Sequence, residues 1–285
     1  MTDNNNQTKT PRRFKWWLIP IVLIVVVGIG GVLWINQRAI ADIFEPKPTL
    51  PPDVGAAQDG KLYWTDFEDA ATLADWEFFD DGVISAKAES GRLVVGVNSY
   101  ADEGTWSGLN LTFTDFVLDV ESIKMDGPDD NGIIVIFRLT DTQNYNRFDI
   151  SSDGYYAVSK VRNGIPYPVS DWRLSAAIAQ GADFNDIRVR AVGGTFSFYV
   201  NGTALPLCIS YDPDVQPLWE PTSEEPTCLG GDVIMTWEDN ALPAGKIGLG
   251  AQGFIGFDGE NNTPAFAVIG FDNLIIWSSD APEAQ

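Results

Sequence analysis

DIRVRAV, GGT, FSFYV and NGT follow one another from Asp186 to Thr203, and this stretch decides the fold. In the first run Ile187, Val189 and Ala191 fall on one side of an extended chain, with Arg188 and Arg190 on the other. That is the period of two expected for a strand with one dry and one wet face. The gaps hold glycine, which accepts the backbone angles of a hairpin turn. Upstream the same grammar repeats: NGIIVIFRLT (131–140), NYNRFDI (144–150), SSDG (151–154), YYAVSKV (155–161), RNG (162–164). Phe116–Ile123 alternates as well, with Asp119 and Glu121 pointing away from Leu118 and Val120. Between Lys61 and Trp277 about twelve to fourteen strands are expected, with helical turns only at Ala70–Ala74 and Ser175–Gln180. No fixed period recurs, which argues against a propeller or solenoid. The expectation is one all-β domain, an antiparallel β-sandwich over residues 61–278, with a short tail at 279–285.

Ahead of this domain lies WWLIPIVLIVVVGIGGVLWI, Trp16–Ile35, twenty residues without a charge. At about 1.5 Å per residue it matches the roughly 30 Å hydrocarbon core of a bilayer, and Trp16, Trp17 and Trp34 fall at the two interfaces. Lys9, Arg12, Arg13 and Lys15 precede it and only Arg38 follows closely, so residues 1–15 are expected on the cytoplasmic side and the rest outside. Ala39-Ile40-Ala41 has the small-x-small form of a signal-peptidase site, but the apolar run exceeds the 7 to 15 residues of a signal peptide. An uncleaved signal anchor is therefore expected, in a single-pass protein of the cell membrane. Residues 36–60, with Pro46, Pro48, Pro51 and Pro52, read as a stalk.

Charge narrows the function. Residues 1–41 hold five of the 18 basic residues and one of the 40 acidic ones, leaving 13 against 39 and a net charge of −26. Such a chain repels nucleic acid. Histidine is absent, so Ser-His-Asp and Cys-His nucleophile systems and His-ligated zinc are excluded. The two cysteines, Cys208 and Cys228, lie on the side where thiols oxidise and are expected to pair.

The order of residues resembles a known family. Phe137-Arg138, Asn144-Tyr145, Phe148-Asp149-Ile150, Asp153-Gly154-Tyr155-Tyr156, Asn163-Gly164, Trp172, Asn185, Val200-Asn201-Gly202, Gly245-Lys246-Ile247-Gly248-Leu249 and Phe271-Asp272-Asn273-Leu274 are similar to the concanavalin A-like jelly-roll superfamily. Within it they look closest to laminin-G-like domains and the related 3-keto-disaccharide hydrolase-type domains. The resemblance implies a lectin, an adhesion module or a glycosidase, and fold does not decide among these.

The retaining glucanases of this superfamily carry Glu-x-Asp-x-x-Glu on one strand, which sets two carboxyls about 5.5 Å apart. No Glu here has Asp two positions on, so an enzyme is not the favoured reading. Asp119 and Glu121 form a same-face pair that reads as solvated surface. The resemblance also implies a structural Ca²⁺ between the first and last strands, held by Asp66, Glu68 and Asp272. For sugar, flat aromatics beside polar groups are needed, and the candidates are Trp106, Tyr145, Arg147, Tyr156 and Trp172. The expected function is a membrane-anchored module binding polysaccharide or surface glycan. A carboxylate-based glycoside hydrolase and a partner-binding domain of an envelope complex are the alternatives.

Overall fold

The computed structural model describes residues 60–280, apart from 102, 213–214, 221–224 and 259–260. The tail, the apolar segment 16–35, Ala39–Ala41 and the stalk up to residue 59 lie outside the described residues. Among those described, no helix is long and apolar enough to cross a membrane. Contacts divide the chain between Pro48 and Thr49, and all described residues belong to the second unit, Thr49–Gln285.

In chain order the elements are β1 Lys61–Thr65, α1 Ala70–Leu73, β2 Phe79–Asp80, β3 Ile84–Glu89, β4 Arg92–Ser99, β5 Glu103–Phe113 and β6 Phe116–Asp126. There follow β7 Asn131–Asp141, β8 Asn144–Ile150, β9 Tyr155–Arg162, β10 Ile165–Leu174, β11 Asn185–Val192, β12 Thr195–Val200 and β13 Thr203–Ala204. Then come β14 Leu207–Ser210, β15 Leu218–Trp219, β16 Cys228–Leu229, β17 Gly231–Ile234 and β18 Trp237–Glu238. The chain closes with β19 Gly245–Gly253, β20 Gly256–Asp258, β21 Asn261–Thr263 and β22 Ala265–Ser278.

The large sheet runs β13-β12-β11-β6-β22-β4-β3-β2, with β1 beside β22 and β18 beside β12; the small one runs β10-β9-β8-β7-β19-β5. Every pair in both is antiparallel. The excess over the expected strand count consists of pieces of two to four residues (β2, β13 to β18, β20, β21), too short for any periodicity to show. Ser175–Gln180 is turn and bend rather than helix. Ala70–Leu73 is a helix, its Asp69 cap accepting from the Ala71 amide at 2.9 Å.

β11 behaves as its alternation demands. Ile187, Val189 and Ala191 are buried against Val120, Leu118 and Phe116 of β6 and Val200, Phe198 and Phe196 of β12, while Arg188 stays on the wet face. Asn163-Gly164 and Asn201-Gly202 turn with φ of 52° and 77°, and 50° and 76°. Two successive positive φ values are those of a type I′ hairpin, whose twist matches its strands. The sheets meet through aromatic rings: Phe148 lies 4.8 Å and Phe137 5.9 Å from Phe198, and Phe137 lies 5.2 Å from Phe196. Each fully buried Phe contributes about 1.5–3 kcal/mol, so this contact fixes the small sheet on the large one.

Candidate functional site

The outer face of the small sheet carries chemistry. Phe148 and Ile150 of β8 point to the core, so Tyr145, Arg147 and Asp149 point outward. The ladder places Asp149 opposite Ile134, Ile134 opposite Gly250, and Gly250 opposite Trp106. One row away, Gly132 faces Gln252. Small residues form the floor: a Cβ at Gly248 would come within 2.9 Å of Trp106, and one at Gly132 within 2.9 Å of Gln252. Glycine at these positions lets the large side chains lie down across the sheet.

They do so as a second apolar cluster outside the main core. Ile134, Ile136, Leu139, Tyr145 and Val161 pack together, with half-buried Trp106 against them. The Trp106 and Tyr145 rings are 5.3 Å apart, tilted at 52°. Beside the rings, Arg147 Nε donates to both Asp149 oxygens at 2.7 Å, and its Nη2 donates to Gln252 Oε1. Burial pushes the Asp149 carboxyl upward in pKa while Arg147 pulls it back. Burial also raises the Tyr145 hydroxyl. At the β5 edge, Lys246 donates to Asn110 Oδ1 at 2.6 Å and stands 3.8 Å from Glu77. Tyr155, more than a third exposed, stands on the same face of β9 as Ala157. The arrangement offers a half-buried indole, a fixed guanidinium and an amide, which are groups that stack on a sugar ring and bond its hydroxyls.

The structure therefore brings Trp106, Tyr145 and Arg147 together, with Tyr145 supporting Trp106 rather than meeting solvent. Tyr156 requires correction. It faces the core at 1% exposure, and its hydroxyl donates to the Pro206 carbonyl. Trp172 is exposed on β10, the edge strand opposite β5, five strand spacings of about 4.8 Å from Trp106. It belongs to another region.

Of the metal candidates, Asp66 follows β1 and accepts from the Glu68 amide at 3.1 Å, and Asp272 is buried on β22 with its Oδ2 3.9 Å from Arg92 Nε. Among the described residues, no three His, Cys, Asp or Glu side chains gather as a metal set. Asp119 accepts from Arg188 at 2.6 and 3.0 Å, and Glu121 accepts from Asn273 at 2.9 Å. These two carboxylates serve the outer face of the large sheet. Cys208 and Cys228 are bonded, with Cα atoms 5.1 Å apart. Trp219, within the loop they close, lies 4.4 Å under the Arg173 guanidinium and donates to the Asp171 carbonyl at 2.9 Å.

Sequence reading overlooked Asp149, Gln252, Tyr155 and Glu77 as members of this face. A signal existed for two of them: Arg147-x-Asp149 sets opposite charges on one side of a strand, and Gln252 is in phase with Gly248 and Gly250.

No protein-family profile matches the chain, and no curated protein does. Among solved structures it is similar to a protein of unknown function with a galectin-like fold from Bacillus subtilis, at 12% identity and a TM-score of 0.48 over 76% of this chain and 96% of that one. The carbohydrate-binding module CBM66 from Bacillus subtilis aligns at 13% identity and a TM-score of 0.45, over 72% and 96% of the two chains. A β-glucanase of Bacillus licheniformis aligns at 10% and 0.46, over 78% and 99%.

Proposed function

We propose that this chain is a glycan-binding module displayed outside the cell on a single membrane anchor, and that the outer face of the small sheet takes the sugar. The observation that carries the reading is the half-buried Trp106 ring on the same face as the Arg147–Asp149–Gln252 group, above a floor of glycines. Binding is preferred to hydrolysis on geometry. Glycoside hydrolysis needs one carboxyl free to donate a proton and a second free to attack or to activate water. Both oxygens of Asp149 are occupied by Arg147.

A glycan array probed with the purified full chain tests the reading. The expected result is a defined set of bound glycans, with Trp106→Ala weakening binding by about tenfold or more while still unfolding in one cooperative transition. Equal binding by the variant would remove this face from consideration. Repeating the array and the melt in EDTA and in millimolar Ca²⁺ addresses the calcium proposal: a midpoint that rises with Ca²⁺ supports it, and an unchanged one discards it.

Anchoring rests on the charge-free run Trp16–Ile35 and its basic flank. Protease added to intact cells is expected to remove the C-terminal domain and leave a small membrane-bound stub. A protected domain would reverse the orientation.

A further inference from the structure

The outer face of the large sheet holds a second, differently charged surface beside β1. Cross-strand register places Trp64, Asp119 and Arg188 in one row, and Lys61, Trp277 and Arg190 in the next. Lys61 Nζ stands 5.6 Å from the Trp64 ring centre and 5.5 Å from that of Trp277. The Trp277 indole donates to Asp119 at 3.0 Å, and Arg188 binds the same carboxylate through two nitrogens. Asp119 is thus neutralised by Arg188, whereas among the described residues Lys61 and Arg190 form no ion pair with a carboxylate. Three of the 13 basic residues of the chain beyond residue 41 meet here around one acid and two indoles. Acidic side chains mark the borders: Glu121 and Asp186 in the row on one side, and Glu238 beyond Thr195 on the other.

We infer that this patch binds a short carboxylate-bearing oligosaccharide, separately from the face around Trp106. Lys61 and Arg190 supply the pairing charge, and the exposed Trp64 ring supplies a stacking plane for the C–H face of a sugar. Lys61 and Arg190 stand three strands apart, about 14 Å by strand spacing, so one ligand a few sugars long reaches both. A bilayer or a long polyanion fits less well. Either would bring further negative charge over the flanking acids, within a Debye length of about 8–10 Å, and would meet the repulsion of the part beyond residue 41, at −26. A short acidic sugar meets only the local charge.

The test is calorimetric titration of the purified full chain with trigalacturonate, at about 20 mM and about 200 mM salt. Expected are binding that weakens severalfold with salt, a further loss of about tenfold or more in Lys61→Gln/Arg190→Gln and in Trp64→Ala, and no change in Trp106→Ala. Arg190→Lys should retain most of the affinity, and all variants should still unfold in one cooperative transition. Absence of binding would overturn the inference. So would loss confined to Trp106→Ala, which would move the acidic sugar to the first face, or capture by phosphatidylglycerol vesicles that trigalacturonate does not displace.

Discussion

Arg138→Ala should destabilise the domain by about 3–5 kcal/mol, from two carbonyls left without a donor at about 1–3 kcal/mol each and from the void the side chain leaves. Arg138 is fully buried and sits at φ 55° where β7 shifts its register, between Phe137 and Asp141. Its Nη1 donates to the Phe113 carbonyl at 3.2 Å and its Nη2 to the Gly193 carbonyl at 2.9 Å, with Asp115 3.6 Å away. Its guanidinium lies 5.7 Å from the Phe116 ring centre and 5.8 Å from that of Phe196. One planar head therefore joins the β5–β6 turn, the β11–β12 turn and the irregular part of β7. Burial lowers its pKa and Asp115 opposes that, so the charge is retained at neutral pH. Alanine would leave two carbonyls without their donor and a void between two phenylalanines. Lysine restores one bond at most, having a point charge instead of a fork. Urea unfolding of the full chain measures the effect, and a loss below about 1 kcal/mol would show that the turns hold themselves. Arg138→Met keeps the stem and isolates the head.

The double variant Cys208→Ser/Cys228→Ser is expected to lose about 3 kcal/mol, the loop-closure value for a bridge spanning roughly twenty residues. In a domain of this size that corresponds to a fall in melting midpoint of about 6–12 °C. The closed loop contains four prolines and few apolar residues, so little else orders it. What it does order is Trp219, held against Arg173 and Asp171, and loosening should redden the indole emission before global unfolding. Two titratable thiols in the native protein would contradict the bridge.

Legibility in the sequence followed the strength of the alternation. β11 and β6 each bury one face, so their phase could be counted directly. Tyr155 and Tyr156 are both aromatic and erase the phase at the start of β9. What sets it is pairing of Tyr156 with Ile150, a long-range fact. Trp172 follows one register shift in β10 and lies within the second, between Ser170 and Arg173, and parity cannot be carried through a bulge. Trp106 and Tyr145 stand on β5 and β8, and their rings meet only by reaching across the two strands between them, β19 and β7. The Lys61 patch was hidden for the same reason, since its members come from β1, β6, β11 and β22.

The pairing of the first and last strands gives the domain a direction of mechanical weakness. Lys61, at the head of β1, pairs with Trp277, near the foot of β22, and the ladder ends with Thr65 opposite Leu274. Tension that separates residues 60 and 278 opens this ladder as a zip, one pair at a time. Such a load meets the backbone pairs in succession rather than together, so the ladder between the first and last strands offers each time only the resistance of a single pair.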